Sequence, residues 1–453
     1  MSKTHEFAAV ILAAGKGTRM KSELHKVLHP IAGKPMLDHL MDSLEALSPR
    51  HTVVVAGDRH EQLRDALAGR NVSVTLQEPQ LGTAHAALQA EAALKDFSGL
   101  VMVCFGDTPM VRSDTVRRMA EALEDEPTKV AVLGFRPERT LAYGRIITAP
   151  DGTVLKMVEH KDASDKEREC DLCNSGVLIA HSDDIWRLLK SVGNDNAQGE
   201  YYLPDVATNA ISEGAKVVAV ETDPAEVAGI NSRAELAAAE AQWQAFKREE
   251  AMENGVTLKA PETVFFSYDT QLAADVVIEP NVVFGPGVAV ARGAHIKSFS
   301  HIEGATIGEG AQVGPYARLR PGAVMEKDSF VGNFVEMKKA VLGEGAKASH
   351  LTYLGDAEVG AGANIGAGTI TCNYDGYFKY KTVIGERAFI GSNSALIAPV
   401  KIGADAIVAA GSAVSRDVAD GELRMVRGEQ LVKPGWADRF HDTMKKKKAA
   451  AKK

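Results

Sequence analysis

The second half of the chain repeats an aliphatic residue at every sixth position, and no other feature restricts the possible folds as strongly. An amphipathic helix repeats apolar residues about every 3.6 positions and an ordinary strand at every second position, so neither accounts for a period of six. A hexapeptide period predicts a parallel β-helix, in which each short strand turns one aliphatic side chain inward and stacked coils share one core. The repeated positions are Ile278, Phe284, Val290, Ile296 and Ile302, then, after a one-residue slip, Ile307, Val313 and Leu319, and later Ile384, Ile390, Leu396, Ile402, Val408 and Val414.

Glycine often follows the repeated aliphatic residue, as at Gly391 and Gly403, where the turn of a coil favours a residue without a side chain. The period breaks after Thr371, where the segment CNYDGYFKYK comes before Val383. Insertions in a repeat fold become loops on one face, and such loops often carry function. The insertion is therefore predicted to be a functional loop.

The first half of the chain alternates strand-like and helix-like patterns instead. Such alternation predicts parallel strands with crossover helices, a Rossmann-like α/β sheet whose ligands bind at the carboxyl ends of the strands. The predicted strands are Phe7–Leu12, Thr52–Ala56, Val72–Leu76 and Leu100–Cys104, and the predicted helices are Glu61–Ala68 and Ala84–Leu94.

A long helix is predicted between the two halves. Ser232 and Glu235 have the spacing of a capping box, and Gly255 offers a stop. Apolar residues recur between them at helical spacing: Leu236, Ala239, Trp243 and Phe246. We therefore expect an α/β domain over residues 1–231, a linker helix over 232–255 and a β-helix over 256–453. Its basic tail KKKKAAAKK, Lys445 to Lys453, is predicted to be exposed and disordered.

Composition excludes several classes of protein. No apolar run approaches the ~18 residues of a transmembrane helix, and a net charge of −8 disfavours a dedicated nucleic-acid binder. Four cysteines in 453 residues do not form a disulfide scaffold and favour a reducing cytoplasm. Cys170 and Cys173 form one C-x-x-C pair, but no second pair follows in the register that a structural zinc site needs.

The segment VILAAGKGTRM, Val10 to Met20, places glycines and cations directly behind the first predicted strand. A dinucleotide fingerprint would need glycine where Met20 stands, and the P-loop pattern is absent. What remains is a turn of exposed backbone N–H groups with cations at Lys16, Arg19 and Lys26, which suits a polyphosphate.

Two further motifs fall at the ends of predicted elements. In FGDTP, Asp107 follows a strand and has a carboxylate that could hold a divalent metal, although a plain turn aspartate would look the same. In LGTAHA, Gly82 and Thr83 begin a helix, where backbone N–H groups allow a ligand to approach closely.

Taken together, the motifs resemble a known family. They are LAAGKGTRM, HKVLHPIAGKPM, QLGTAHA, FGDTPM, YGRI, VEHKDA, NSGVLIA and NAQGEYYLPD in the first half, and GPYARLRPGA, GNFVEMKKA, SHLTYLGDAEVGAGANIGAGTITCNYDG and IGSNSALIAPV in the second. The combination is similar to the bacterial bifunctional N-acetylglucosamine-1-phosphate uridylyltransferases and glucosamine-1-phosphate N-acetyltransferases. The resemblance covers nearly the whole chain, apart from the basic tail and parts of the linker. It implies a left-handed coil, a homotrimer, a cytoplasmic enzyme of cell-wall biogenesis and the product UDP-N-acetylglucosamine.

For uridylyl transfer, the resemblance implies that N-acetylglucosamine-1-phosphate attacks UTP in line while pyrophosphate leaves. The loop Leu12, Ala13, Ala14 and Gly15 would cradle the triphosphate with Arg19, and Lys26 would offset charge at the reacting phosphate. Mg²⁺ would be held by Asp107 and Asn231, although the spacing alone makes Asn231 a helix-start residue beside Ser232. The residues implied for uracil are Gln77, Gly82 and Thr83, and those for the sugar are Gly144, Glu159 and Asn174.

For acetyl transfer, the amine of glucosamine-1-phosphate must be neutral to attack the thioester of acetyl-CoA. Histidine is the natural base near neutral pH, and His350 in SHLTYLGD stands where the family has its proton acceptor. The resemblance implies Arg320 and Lys338 for the sugar phosphate, and Tyr353 and Asn364 for the sugar. It also implies a groove for acetyl-CoA, shared between subunits, lined by Ala367, Asn373, Tyr374, Ser392, Ala410 and Arg427.

The sequence departs from the family at Phe105, where many members have tyrosine, and at Ser232, which replaces a second asparagine. Neither change removes a group that the chemistry requires. Two alternatives stay open: a nucleotidyltransferase with one activity and a structural β-helix, and a non-enzymatic assembly protein of similar architecture. The acetyl-transfer residues Arg320, Lys338, His350, Tyr353 and Asn364 disfavour the first. Lys26 and Asp107 disfavour the second.

Overall fold

The computed structural model describes residues 6–125, 127–140, 142–196 and 198–451. The chain forms two compact units, Met1–Lys247 and Arg248–Lys453. The first contains an α/β sheet and the second a stack of parallel strands, as the two sequence patterns predict.

Nine described strands form the sheet of the first unit. They are β1 Phe7–Ala13, β2 His51–Ala56, β3 Ser73–Leu76, β4 Leu100–Phe105, β5 Thr128–Phe135, β6 Arg145–Thr148, β7 Val154–Val158, β8 Cys173–His181 and β9 Lys216–Thr222. The helices are α1 Met36–Glu45, α2 His60–Ala66, α3 Thr83–Leu88, α4 Ser113–Glu121, α5 Asp165–Arg168, α6 Ser182–Ser191, α7 Asp205–Ser212 and α8 Arg233–Glu253. Short 3-10 turns lie at Thr18–Met20, Lys26–Leu28 and Glu91–Leu94, and a small hairpin joins Pro30–Ile31 to Lys34–Pro35.

The order of the strands places the ligand edge of this sheet. The main path runs β9-β5-β8-β4-β1-β2-β3, and β6 pairs with β8 and β7. β1 has β2 on one side and β4 on the other, both parallel to it. The chain thus winds in opposite directions from β1, and ligands of such sheets bind at this switch point, beyond the carboxyl ends of the strands.

Burial explains why the first predicted strand forms. All seven residues of β1 are buried, and alternate side chains enter two different apolar clusters, one on each face of the sheet. A parallel sheet covered on both faces requires such an uninterrupted apolar run. The four predicted strands are confirmed to within one residue at each end. The predicted helix Ala84–Leu94 is wrong in its length, since the structure has α3 and then a separate 3-10 turn.

The predicted helix between the halves is present as α8. The hydroxyl oxygen of Ser232 accepts the N–H of Glu235 at 3.3 Å, which is one half of a capping box. The carboxylate of Glu235 accepts the N–H of Asn231 at 2.7 Å instead of that of Ser232. The helix ends at Glu253. Gly255 follows with a φ of +87°, and the N–H of Val256 donates to the carbonyl of Ala251, 3.0 Å away.

The second unit stacks short parallel strands in three columns. The first column contains Thr257–Leu258, Val277–Ile278, His295–Ile296, Gln312–Val313, Phe330–Asn333, Lys347–His350, Asn364–Ile365, Phe389–Ile390, Ile407–Val408 and Leu423–Arg424. The second contains Val283–Phe284, His301–Ile302, Arg318–Leu319, Glu336–Leu342, Tyr353–Val359, Ile370–Cys372, Ala395–Ile397 and Ala413–Val414. The third contains Gln271–Leu272, Ala289–Val290, Ala305–Ile307, Ala323–Met325, Thr382–Ile384 and Val400–Ile402, and it joins the second through the two seven-residue strands.

The residues of the six-residue repeat form the core of this stack. Every position of the predicted series is buried, with at most 4% of its surface exposed. Between the first and second columns, the coils turn through residues in the left-handed conformation, among them Phe299, Tyr316, Phe334 and Leu351. The rings of Phe299, Tyr316 and Phe334 stack on one another with centroids 4.9 Å and 5.3 Å apart. The β-helix prediction is thereby confirmed.

The predicted tail is exposed but not disordered over its described part. A helix, α9, covers Trp436–Ala450 and contains no buried residue. The prediction of disorder is therefore wrong for these residues, while Lys452 and Lys453 lie outside the described residues. Among the described residues, no helix has the length and apolar character needed to span a membrane.

Candidate functional site

A cavity of about 450 Å³ opens beyond the carboxyl ends of β1 and β4, at the switch point of the sheet. It is lined by Leu12, Ala13, Ala14, Gly15, Lys16, Lys26, Val27, Gln77, Gln80, Gly82, Thr83, Ala86, Phe105, Asp107 and Glu200. The structure thus brings together the predicted phosphate loop, the predicted uracil residues and Asp107. These segments are up to about a hundred positions apart in the sequence.

The loop after β1 is fixed from two directions. Gly17 has a φ of +59°, and a Cβ atom there would lie 3.0 Å from the Cβ of Lys26, so this glycine lets the loop approach the lysine closely. The side-chain amide of Gln80 donates to the carbonyl of Ala14 at 2.6 Å. Gln80 is the first residue of the motif QLGTAHA, but the resemblance assigned it no role.

Lys26 connects the two predicted metal ligands. Its ammonium pairs with the carboxylate of Asp107 and donates to the side-chain oxygen of Asn231 at 2.9 Å. The N–H of Ile230 donates to the carbonyl of Asp107 at 3.0 Å, which holds the two segments together. Because Lys26 contacts both side chains, the oxygens of Asp107 and Asn231 already converge on one cation, and oxygen donors of this kind suit Mg²⁺. Burial lowers the pKa of the adjacent His25 to about 4, so His25 is neutral near pH 7 and adds no charge to this group.

The start of α3 is built around Gly82. Its φ is +120°, and a Cβ atom there would lie 2.5 Å from the carbonyl oxygen of Tyr201 and 2.6 Å from its nitrogen. The side-chain amide of Gln77 donates to the carbonyl of Gly82 at 2.9 Å. The hydroxyl oxygen of Thr83 accepts the N–H of Leu203 at 2.9 Å, so this threonine also anchors the segment that follows Tyr201.

A second cavity, of about 380 Å³, shares Phe105 and Asp107 with the first. It is lined by Arg19, Phe105, Asp107, Thr108, Ala142, Tyr143, Ser175, Val227, Gly229, Asn231 and Glu235. Arg19 lies here and not in the lining of the first cavity. The ring of Phe105 forms part of both walls, so the departure from the family's tyrosine retains an aromatic ring at this place.

The three residues predicted for the sugar lie next to one another beside Tyr143. The N–H of Asn174 donates to the carbonyl of Gly144 at 2.9 Å, and a Cβ atom at Gly144 would lie 3.2 Å from a carboxylate oxygen of Glu159. Burial, together with the negative charges of Asp205 and Asp162, raises the pKa of Glu159. This carboxyl group therefore holds its proton to a higher pH than an exposed glutamate does.

In the second unit, four predicted residues form a straight column along successive coils. Pairing in the first strand column aligns Ala348 with Ile365, Ile365 with Ile390 and Ile390 with Val408. Two positions further along each coil lie His350, Ala367, Ser392 and Ala410, and we call this set the cofactor column. A Cβ atom at Gly411 would lie 3.6 Å from the Cδ of Arg427, so Arg427 lies beside the end of this column.

His350 is oriented by Asn333, a residue of the motif GNFVEMKKA to which the resemblance assigned no role. Its Nδ1 lies 2.5 Å from the side-chain oxygen of Asn333, which pairs with it on the neighbouring coil. A carbonyl oxygen only accepts, so Nδ1 carries the hydrogen and Nε2 presents a lone pair. The imidazole is exposed. A base on Nε2 is what an amine nucleophile requires.

The residues predicted for the sugar phosphate lie on the second strand column. Arg320 donates to the carboxylate of Glu336 at 2.8 Å, and the ammonium of Lys379 beside Lys338 lowers the pKa of Lys338. Lys379 lies in the insertion, which brings a further cation to this cluster. Two cations held this close indicate a site for an anion.

The remaining predicted residues lie around these two groups. The side chain of Tyr353 extends over Gly355, where a Cβ atom would collide with its ring. Asn364 pairs with Lys347 in the first strand column, three positions before Ala367.

Two predicted residues lie in the insertion. The side-chain amide of Asn373 donates to Asp356 at 2.5 Å, and the hydroxyl of Tyr374 donates to the carbonyl of Gly376 at 2.5 Å. Within one chain, Arg320, Lys338 and Tyr353 thus lie on a different strand column from His350.

Comparison with known proteins supports both halves of this description. Residues 9–243 match the family described as MobA-like NTP transferase domain, and residues 381–416 match the family described as bacterial transferase hexapeptide (six repeats). The chain is 67% identical over 448 residues to the protein named "Bifunctional protein GlmU" of Sphingopyxis alaskensis, covering 98% of this chain and 99% of that protein. A protein of the same name from Novosphingobium aromaticivorans has the same identity and coverage. Another, from Zymomonas mobilis subsp. mobilis, is 55% identical over 99% of this chain and 100% of its own length.

Proposed function

The chain belongs to the GlmU family of bifunctional proteins, and we propose that its two units catalyse the two transfers that make UDP-N-acetylglucosamine. The second unit transfers an acetyl group from acetyl-CoA to glucosamine-1-phosphate. The first unit then transfers a uridylyl group from UTP to the product and releases pyrophosphate. Residues 1–231 carry the second reaction, 232–255 form the linker and 256–453 carry the first.

The observation that carries the uridylyl assignment is the cavity at the switch point, where the loop Leu12–Gly15 meets Lys26 and Asp107. Backbone N–H groups of the loop and the guanidinium of Arg19 hold the triphosphate. The ammonium of Lys26 moves from Asp107 and Asn231 toward the α-phosphate and offsets the charge that grows there. Mg²⁺ bound by Asp107 and Asn231 would neutralise further phosphate charge.

The uridylyl acceptor lies beside the second cavity. Gly144, Glu159 and Asn174 orient N-acetylglucosamine-1-phosphate so that a phosphate oxygen attacks the α-phosphate of UTP in line. Gln77, Gly82 and Thr83 hold the uracil at the start of α3. The protein contributes mainly position and charge in such a transfer, since few covalent changes involve its side chains.

Acetyl transfer takes place along the cofactor column. The Nε2 of His350 accepts a proton from the amine of glucosamine-1-phosphate as the nitrogen attacks the thioester carbonyl, and the thiolate of coenzyme A leaves. Arg320 and Lys338 hold the sugar phosphate by charge-assisted hydrogen bonds, while Tyr353 and Asn364 orient the sugar. Ala367, Ser392 and Ala410 run beside the acetyl-CoA arm, with Asn373, Tyr374 and Arg427 completing its site.

We also assign the chain to a homotrimer in the cytoplasm. The resemblance implies that the acetyl-CoA groove is shared between subunits, so in a trimer the cofactor column of one chain would lie against a neighbouring chain. Light scattering on the full-length protein tests the assembly, since a trimer has three times the 48.3 kDa mass of the chain. A monomeric mass in an active preparation would contradict it.

A coupled assay with glucosamine-1-phosphate, acetyl-CoA, UTP and Mg²⁺ tests the whole function by the appearance of UDP-N-acetylglucosamine. Two variants separate the halves. Asp107→Ala should abolish release of pyrophosphate and keep acetyl transfer, while His350→Ala should lower the kcat of acetyl transfer by ~10²–10⁴-fold and keep uridylyl transfer. Loss of both activities in an intact oligomer would show that the two sites depend on each other. Formation of pyrophosphate without any acetyl transfer by the wild type would favour the one-activity alternative.

A further inference from the structure

The first unit buries an arginine that the proposed mechanism does not use. Arg145 begins β6 and is only 1% exposed, and it is the largest fully buried side chain among the described residues. We propose that Arg145 is a positioning residue for the sugar phosphate acceptor: its guanidinium holds the strands that carry Gly144, Glu159 and Asn174 in register. This inference rests on the proposed uridylyl transfer and adds a residue to it.

The neighbours of Arg145 do not neutralise its charge. One guanidinium nitrogen donates to the carbonyl of Tyr143 and contacts the sulfur of Cys173 at 3.8 Å. Burial raises the pKa of the Cys173 thiol, so this sulfur is not an anion near neutral pH. Among the residues that the structure describes, no carboxylate pairs with Arg145, whose partners are Tyr143 and Cys173, and its Nε atom is buried without a hydrogen-bond partner.

Such an arrangement is costly, because a buried charge loses its hydration and is normally compensated by an opposite charge. A methionine or leucine would fill the same space without that cost. Residues whose burial lowers the stability of the fold occur mainly at functional sites, where they serve the activity. The position of Arg145 in the sheet indicates which site it serves.

Arg145 is the central residue of one rung of the sheet. It pairs with Val158 of β7 on one side and with Cys173 of β8 on the other, and both pairings are antiparallel. One position further along this rung direction, Gly144 before β6 lies between Glu159 after β7 and Asn174 of β8. These are the three residues assigned to the sugar, so they form the rung directly beyond the guanidinium.

The contacts of Arg145 join two of these three segments. Its bond to the Tyr143 carbonyl fixes the residue before Gly144, and its contact with Cys173 fixes the residue before Asn174. The hydrogen bond from Asn174 to the Gly144 carbonyl, 2.9 Å long, depends on the same alignment. Without the guanidinium, the carbonyl of Tyr143 loses its donor and the two segments can move apart.

The test compares Arg145→Met with Arg145→Lys. Methionine keeps the apolar length of the side chain and removes all its donors, whereas lysine keeps one charged donor. We expect Arg145→Met to raise the KM for N-acetylglucosamine-1-phosphate by about tenfold, because small displacements of orienting residues have large effects on binding and rate. The KM for UTP should stay within about twofold, since UTP contacts the other side of the switch point. Arg145→Lys should recover part of the loss.

A matched control is Arg136→Met, which removes an exposed arginine that directly follows strand β5 in the same sheet. Arg136 pairs with Glu221 at 2.9 Å and also with Asp171, so its loss should leave both KM values unchanged. Titration calorimetry with N-acetylglucosamine-1-phosphate measures the same effect without turnover. Acetyl transfer by each preparation reports whether the second unit is intact.

Each outcome decides the inference. A selective rise in the KM for the sugar phosphate, with partial recovery in the lysine variant, supports it. Equal rises in both KM values, or wild-type values for both, overturn it, and if Arg145→Met does not fold, the same comparison is made on Arg145→Lys. Absence of UDP-N-acetylglucosamine formation by the wild type would instead contradict the proposed function and would say nothing about the alignment of the strands.

Discussion

Replacing Gly82 with alanine should slow uridylyl transfer by the first unit about tenfold and leave the second unit active. The backbone of Gly82 has φ +120° and ψ 174°, a region that is occupied almost only by glycine and that costs other residues about 1–3 kcal/mol. The new Cβ atom would also lie 2.5 Å from the oxygen and 2.6 Å from the nitrogen of Tyr201. Both are backbone atoms, so no side-chain rotation relieves the collision.

The required movement follows from these distances. Nonbonded contacts of a Cβ atom are rarely shorter than 3.0 Å, so the start of α3 and the segment at Tyr201 must separate by about half an ångström. Two hydrogen bonds now join them, from Ala84 to the Tyr201 carbonyl and from Tyr201 to the Leu81 carbonyl, each 2.9 Å long. A displacement of ~1 Å in a binding residue lowers the rate about a hundredfold. A displacement of about half that distance at the start of α3 should therefore lower kcat/KM for UTP about tenfold.

The measurement is pyrophosphate release as a function of UTP concentration, with acetyl transfer assayed on the same preparation. The control is Gly69→Ala, because Gly69 also has a positive φ, +86°, but a Cβ atom there meets nothing within 4 Å. This control should lower the melting temperature of the first unit by a few degrees, at ~2–4 °C per kcal/mol, and should not change the KM for UTP. Wild-type uridylyl transfer by Gly82→Ala would refute the reasoning, since the close approach of Tyr201 would then have no role in the site.

Three further predictions concern single side chains. Burial and neighbouring negative charges raise the pKa of Glu159, so the folded state binds its proton more tightly than the unfolded state, and ionisation near neutral pH lowers stability. Glu159→Gln should therefore raise the melting temperature near neutral pH, by an amount that shrinks toward about pH 4, while calorimetry shows weaker binding of the sugar phosphate; a pH-independent gain would contradict this. Lys26→Met should bind Mn²⁺ more tightly in the absence of UTP, measured by electron paramagnetic resonance, because the ammonium that occupies both proposed metal ligands is gone; Lys16→Met, which removes a cation from the same cavity, should not. Asn333→Ala should lower the kcat of acetyl transfer about tenfold, less than loss of the base itself, since His350 loses the partner of its Nδ1; an unchanged kcat would show that the ring needs no such partner.

The sequence predicted the elements whose pattern comes from burial alone. The six-residue period identified the inward residues of the β-helix because a single buried face dictates each coil, and the apolar run Phe7–Leu12 predicted a strand covered on both faces. The break between α3 and the turn Glu91–Leu94 was not predictable in this way. No glycine or proline stands between them, so packing of the tertiary structure, and not local preference, ends the helix there.

Individual site residues were predicted where a motif or a family resemblance names them, and their partners were not. The sequence marks Lys26 and Asp107, yet nothing local says that one ammonium meets both Asp107 and Asn231, which are separated by more than a hundred positions. Asn333 and His350 become neighbours only through the register of two coils. Arg145 looks like an ordinary polar residue at the start of a strand, and only its burial in the folded sheet distinguishes it.

The cofactor column has a consequence for the length of what can lie along it. His350, Ala367, Ser392 and Ala410 stand on four successive coils, and adjacent parallel strands are ~4.8 Å apart. Three such steps give about 14 Å between the base and the far end. The number of coils, more than any one side chain, therefore determines how far from His350 the column can contact an extended ligand. Deleting one whole coil between His350 and Ala410 would keep the stacking of the remaining coils and shorten the column by about 4.8 Å. The length of ligand that the column can contact therefore changes only in steps of one coil.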